Sequence, residues 1–312
     1  MSKLLGVLTL VAAVLTGCAG TATPSTSQSS PQPSQAASPS ASPTATPVAN
    51  PKLVLATTTI FADWAANVGG NRVKVDSIVP ANAHVEEFEP KPEDSKKVAT
   101  ADLIIKNGLD LDDHWADPLL KDKKAATPVL TLTEGLPTIE DNPHMWFDVQ
   151  LARKQVEKIR DALIALDGSG KQYYTDRAKA YDDQLVKLDA DLKTQVASVP
   201  EARRKLVTSH DQFPYFAKQY GFEVVGFAEI EPGKDPTPSE LAELIKDVKA
   251  AGVPAIFSEV GVSPAIAQTL AREAGVSKVV TDLPTDSLGA PPTDTYIGFM
   301  RVVTQKITDA LK

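Results

Sequence analysis

Three of the four histidines in this chain fall just beyond an expected strand: His84 in Ile78-Val79-Pro80-Ala81-Asn82-Ala83-His84, His144 in Asn142-Pro143-His144-Met145-Trp146, and His210 in Val207-Thr208-Ser209-His210. Imidazole is the commonest transition-metal ligand. In open α/β sheets ligands bind beyond the carboxyl ends of strands, where these residues fall. Sixty to seventy residues separate successive members, so two belong to the first half of the chain and one to the second. A shared site would need a cleft that collects them. Taken singly, each reads first as a loop or core histidine satisfied by backbone; taken together, their spacing alone leaves that reading and ligation both open. The fourth, His114 in Leu111-Asp112-Asp113-His114-Trp115, opens a helical pattern and reads as a surface residue. Cys18 is the only cysteine, which excludes an intrachain disulfide and a thiolate site in the folded part, so any metal must be held by nitrogen and oxygen.

The scaffold for these residues is legible in the hydropathy pattern. Candidate strands at 53–59, 73–79, 103–106 and 129–132 alternate with helical patterns around 61–68, 92–100 and 112–120, the signature of a parallel α/β lobe. Residues 148–197 form a helix-prone tract broken once, at Asp167-Gly168-Ser169-Gly170. Its second part carries Tyr174, Ala178, Tyr181, Leu185, Leu188 and Leu192 at helical spacing. At 1.5 Å per residue a helix over 171–197 would be roughly 40 Å long, enough to span both halves. After Pro200 the alternation resumes, with strands expected at 205–208, 223–228, 255–258 and 278–281 and helices near 213–220, 238–250, 264–273 and 293–311. The expected organisation is an α/β lobe over 51–170, a linking helix over 171–199 and a second α/β lobe over 200–312.

The N-terminus reads differently. Lys3 precedes an apolar stretch over 4–15 that is too short to span a membrane comfortably and has the form of an export signal. It ends in Leu15-Thr16-Gly17-Cys18, which resembles the bacterial lipobox, so residues 1–17 are expected to be removed and Cys18 acylated. Two or more acyl chains anchor a protein stably to a membrane. Residues 19–50 are nearly all Ser, Thr, Pro, Ala and Gln, with no charge between Lys3 and Lys52. Such a segment cannot offset its ordering entropy by burial and reads as a disordered tether. The 312 residues are 42% hydrophobic, enough for a substantial core. A net charge of −8 excludes a nucleic-acid partner, since phosphate binding needs clustered Lys and Arg.

Three segments carry a specific resemblance. Val79-Pro80 through His84-Val85-Glu86-Glu87-Phe88-Glu89-Pro90, Asn142-Pro143-His144-Met145-Trp146-Phe147-Asp148, and Thr208-Ser209-His210-Asp211-Gln212-Phe213-Pro214-Tyr215-Phe216 are similar, in order and spacing, to the cluster A-I metal-binding lipoproteins. These are the ZnuA/TroA-like solute-binding proteins of zinc and manganese ABC transporters. The resemblance covers nearly all of 51–312. It implies two doubly wound α/β lobes joined by a long rigid backbone helix, a metal in the interlobe cleft, and modest closure on binding. It nominates His84, His144 and His210 as ligands and, in Thr285-Asp286-Ser287-Leu288-Gly289, Asp286 as the fourth, with Asp282 as competitor. It also implies delivery to a membrane permease driven by a cytoplasmic ATPase, by a monomer held outside the cytoplasm on its lipid anchor.

Glu86, Glu87 and Glu89 read as a solvated charged loop rather than as ligands. Some relatives carry an acidic residue directly before the first histidine, where this chain has Ala83. The His-rich loop of many zinc-specific relatives is missing, since 132–142 contains no histidine. Three imidazoles and one carboxylate suit tetrahedral Zn2+ better than Mn2+, whose sites favour oxygen, so zinc is expected ahead of manganese. A zinc hydrolase is the alternative from another class. It would need an open coordination position, which Asp286 fills, and the chain has no His-Glu-x-x-His or Gly-x-Ser-x-Gly motif. A surface adhesin is compatible with a lipid anchor but has no sequence feature of its own.

Overall fold

Four short strands, β1 (Lys52–Ala56), β2 (Val73–Ser77), β3 (Leu103–Lys106) and β4 (Val129–Thr131), pair in parallel in the order β2-β1-β3-β4. The computed structural model describes residues 50–229, 234–261 and 263–312; the export signal, Cys18 and the tether lie outside them. Strands covered on both faces read as continuous apolar runs, and Val54, Leu55 and Ala56 of β1 and Leu103, Ile104 and Ile105 of β3 are all buried. The chain goes from β1 to the neighbour on one side and then crosses to β3 on the other. The switch point of this doubly wound sheet therefore lies between β1 and β3.

Helices α1 (Thr59–Gly69), α2 (Pro92–Thr100), α3 (Asp113–Leu119) and α4 (Val149–Leu166) belong to this half. The longest helix, α5 (Lys171–Val196), has 26 residues and is therefore roughly 39 Å long. Its stripe of Tyr174, Ala178, Tyr181, Leu185, Leu188, Leu192 and Val196 is buried. That stripe packs against α1 and α4 from before it and α9 (Tyr296–Leu311) from after it. One core cluster accordingly runs from Val54 and Trp64 through Leu185 to Phe299.

In the second half β5 (Lys205–Thr208) pairs in parallel with β6 (Glu223–Phe227), and β7 (Ala255–Glu259) with β8 (Lys278–Leu283). β5 and β7 lie side by side but share no hydrogen-bonded ladder, so the half is built on two strand pairs rather than one sheet. Helices α6 (Pro214–Tyr220), α7 (Pro238–Ala251) and α8 (Ala265–Ala274) complete it. α7 starts on a capping box in which Thr237 and Glu240 satisfy each other's backbone N–H.

Apart from this split of the second half into two strand pairs, the differences from the sequence reading are at element ends. β1 stops at Ala56 rather than 59 because the chain turns into α1, with Thr58 as its extended cap residue. β2 stops at Ser77, although Ile78 and Val79 still donate to the carbonyls of Ala56 and Thr57. α9 begins at Tyr296, not 293, because the Thr295 hydroxyl accepts from Gly298 N and fixes the first turn there. Among the described residues no helix is long and apolar enough to cross a membrane.

Candidate metal centre

The loop after β2 is pinned at one residue. Val85 is fully buried, its carbonyl accepts from Trp115 Nε1 at 2.8 Å, and Phe88 packs edge-on against the same indole. His84 and Glu86 flank this fixed point. Beyond β4, His144 is held by its own loop: Asn142 Oδ1 accepts from both His144 N and Nδ1, each at 3.0 Å. That contact puts the ring proton on Nδ1 and leaves Nε2 with a free lone pair. Asn142 also reaches the second half, donating to Asp211 O at 2.7 Å, and its carbonyl accepts from Tyr215 OH.

Two residues past β5, His210 turns its Nε2 to within 3.2 Å of His144 Nε2. Its Nδ1 lies 2.8 Å from Glu259 Oε1, at the end of β7. Glu259 is almost wholly buried, and its other oxygen accepts from Thr285 Oγ1 at 2.7 Å. Three residues past β8, Asp286 is buried as well; its Oδ2 lies 3.1 Å from His84 Nδ1 while its Oδ1 has no hydrogen-bond partner. Trp146 Nε1 donates to Thr285 O, and Thr59 Oγ1 accepts from Leu288 N, so this loop too is tied to the first half.

The electrostatics follow from this crowding. Burial, followed by the charge of His210, holds the His144 imidazole well below its ordinary value, hence neutral. Burial works the same way on His210, but the carboxylates of Glu259, Asp286 and Glu86 outweigh it and hold His210 at about 10. A cationic His210 can then donate to the neutral His144 Nε2, which accounts for two ring nitrogens meeting at 3.2 Å. The Asp286 carboxylate holds His84 up, at about 9. Burial pushes Glu86 up to about 7. Burial also pushes Glu259 up, but His210, Thr285 and His84 together keep it below the ordinary range.

Six groups therefore meet here, and they form two trios, each with donor atoms within 4.8 Å of one another: Glu86, His144 and His210; and His84, Glu259 and Asp286. Three imidazoles and three carboxylates offer nitrogen and oxygen to a divalent cation. Residues 54–310 match the family described as ZnuA, zinc-uptake complex component A, periplasmic. The chain belongs to this family. The manganese-binding lipoprotein MntA of Halalkalibacterium halodurans is 32% identical over 259 residues, covering 80% of this chain and 84% of that one. A manganese-bound periplasmic metal-binding protein of candidatus liberibacter asiaticus superposes with a TM-score of 0.76 at 31% identity, over 84% of this chain and all of that one. The periplasmic zinc-binding protein TroA of Treponema pallidum does so with a TM-score of 0.77 at 28% identity, over 84% of this chain and 99% of that one. As a ZnuA-family protein the chain is a metal-binding, substrate-binding lipoprotein of an ABC transporter and not an enzyme.

Within this ZnuA-family fold the structure joins His144 to His210 and His84 to Asp286, but no close donor set contains all four. Asp282 is exposed on β8, paired with Lys306. His114 is exposed on α3. Glu86 departs from the sequence reading: instead of pointing to solvent it lies 3.5 Å from His210 Nε2 and 3.8 Å from His144 Nε2. Packing of Val85 and Phe88 draws that loop inward, which a run of glutamates does not advertise. Glu259 carries no motif that marks it in the sequence. Its signal is a charged residue directly after the run Ala255-Ile256-Phe257-Ser258, every residue of which is buried.

Proposed function

We propose that this protein captures a divalent first-row transition metal between His144, His210 and Asp286, with one further donor from the loop after β2. It would hand the ion to a membrane permease served by a cytoplasmic ATPase, as a monomer anchored through Cys18 outside the cytoplasm. The observation that carries this reading is the pair of facing Nε2 atoms, 3.2 Å apart, together with a buried Asp286 carboxylate whose charge acts on His210 and whose Oδ1 has no hydrogen-bond partner. A cation that replaces the shared proton satisfies all three.

Manganese is proposed ahead of zinc. The imidazole count favours zinc, and TroA supports it. Yet Glu86 offers the facing histidine nitrogens a carboxylate that the sequence reading did not count, and oxygen-rich sites suit Mn2+. MntA and the manganese-bound neighbour point the same way. Metal analysis of protein purified without added metal, followed by competitive titration with Mn2+ and Zn2+, tests this. His144→Ala and His210→Ala should each abolish tight binding of both ions; wild-type affinity in either variant would contradict the site.

A further inference from the structure

We propose that Glu86, not His84, is the donor that the loop after β2 contributes to the metal, and that His84 holds Asp286 in place. The inference rests on the metal site argued above and concerns which of two neighbouring side chains completes it. Glu86 presents its two oxygens to the two Nε2 atoms, at 3.5 and 3.8 Å, and those nitrogens are 3.2 Å from each other. Donors around one ion with bonds of about 2.1 Å sit roughly 3.0 to 3.4 Å apart, from octahedral to tetrahedral angles. Glu86, His144 and His210 are therefore already near the separations of three ligands of one cation.

His84 is placed for a different task. Both of its nitrogens are engaged, Nε2 with Val260 O at 2.9 Å and Nδ1 with Asp286 Oδ2 at 3.1 Å. A nitrogen that meets a carbonyl oxygen must carry the proton and has no lone pair for a metal. The slot that receives this ring is built for it. Gly261 has φ +88°, a conformation that side chains rarely adopt, and a Cβ there would stand 3.3 Å from His84 Nε2. Asp286 divides its oxygens accordingly: Oδ2 is held by His84 while Oδ1 is buried and unpartnered. A ligating carboxylate steadied by a hydrogen-bond donor behind it is a recurrent arrangement in metal sites. The anchored Val85 backbone keeps His84 and Glu86 from exchanging places by a slip of the loop. The resulting donor set has two imidazoles and two carboxylates, which doubles the number of carboxylate ligands relative to three histidines and one aspartate.

Titration of the full-length protein with Mn2+ tests the assignment. Glu86→Gln should lower affinity by more than ~100-fold, whereas His84→Gln, which retains a donor for Asp286, should lower it by about tenfold, the lower end for residues behind a ligand. A loss in His84→Gln equal to or greater than that in Glu86→Gln overturns the proposal. Should either variant fail to fold by circular dichroism, X-ray absorption on the wild-type metal complex decides: two coordinated imidazoles are expected, and three overturn it. His144→Ala serves as the control; retention of affinity there would overturn the site itself, separately from the choice between Glu86 and His84.

Discussion

Metal capture by this cluster must expel protons, and the structure sets how many. His144 is buried and neutral, so it has no proton to lose from Nε2. His210, held at about 10 by Glu259, Asp286 and Glu86 against the downward pull of burial, is protonated throughout the neutral range. Glu86, pushed by burial to about 7, is about half protonated at pH 7. His84 keeps its proton on Asp286 if it stays behind the ligand. Binding should therefore release about one proton at pH 8, about 1.5 at pH 7 and nearly two at pH 6. Apparent affinity should rise about tenfold per pH unit between 7.5 and 8.5 and approach a hundredfold per unit below 6.5. Calorimetric titrations in buffers of differing ionisation enthalpy count these protons directly. No proton released at pH 8 would show that His210 is not held as a cation, and two would show that His84 gives up its proton and ligates.

The proton on His210 also stabilises the metal-free fold. Because its folded-state pKa lies above the unfolded value of about 6.5, the contribution is complete below that pH and is lost as pH climbs toward 10. The Tm of the metal-free protein should fall across that window, and Glu259→Gln should flatten the slope. Asn142→Ala removes the acceptor that fixes the His144 tautomer and a strut to Asp211; affinity should drop about 10- to 100-fold, with a loss of stability of about 1–3 kcal/mol by denaturant titration. Cys18→Ala should leave affinity unchanged but release the protein from membranes on fractionation, because the segment after Cys18 separates anchor from site.

The fold was readable because its physics is periodic. The apolar runs of β1 and β3, the stripe of α5 and the Gly168-Ser169-Gly170 break before it each carry their meaning locally. The site was readable where a loop follows a strand and presents a histidine or aspartate, as at His144, His210 and Asp286. It was not readable where tertiary packing decides. Glu86 and His84 are two residues apart in one loop, and only the anchoring of Val85 by Trp115 and the slot at Gly261 separate their roles. Glu259 looks like the polar end of a strand until the fold sets it against His210 and Thr285. Three histidines also look alike in sequence, yet burial drives His144 down while three carboxylates drive His210 up.

Anomalous diffraction from crystals of the manganese-loaded protein tests the central claim most directly. A single peak should stand within about 2.0 to 2.3 Å of His144 Nε2, His210 Nε2 and a carboxylate oxygen of both Glu86 and Asp286. A peak remote from the facing histidine nitrogens, or none after soaking at an excess of metal, would contradict the account.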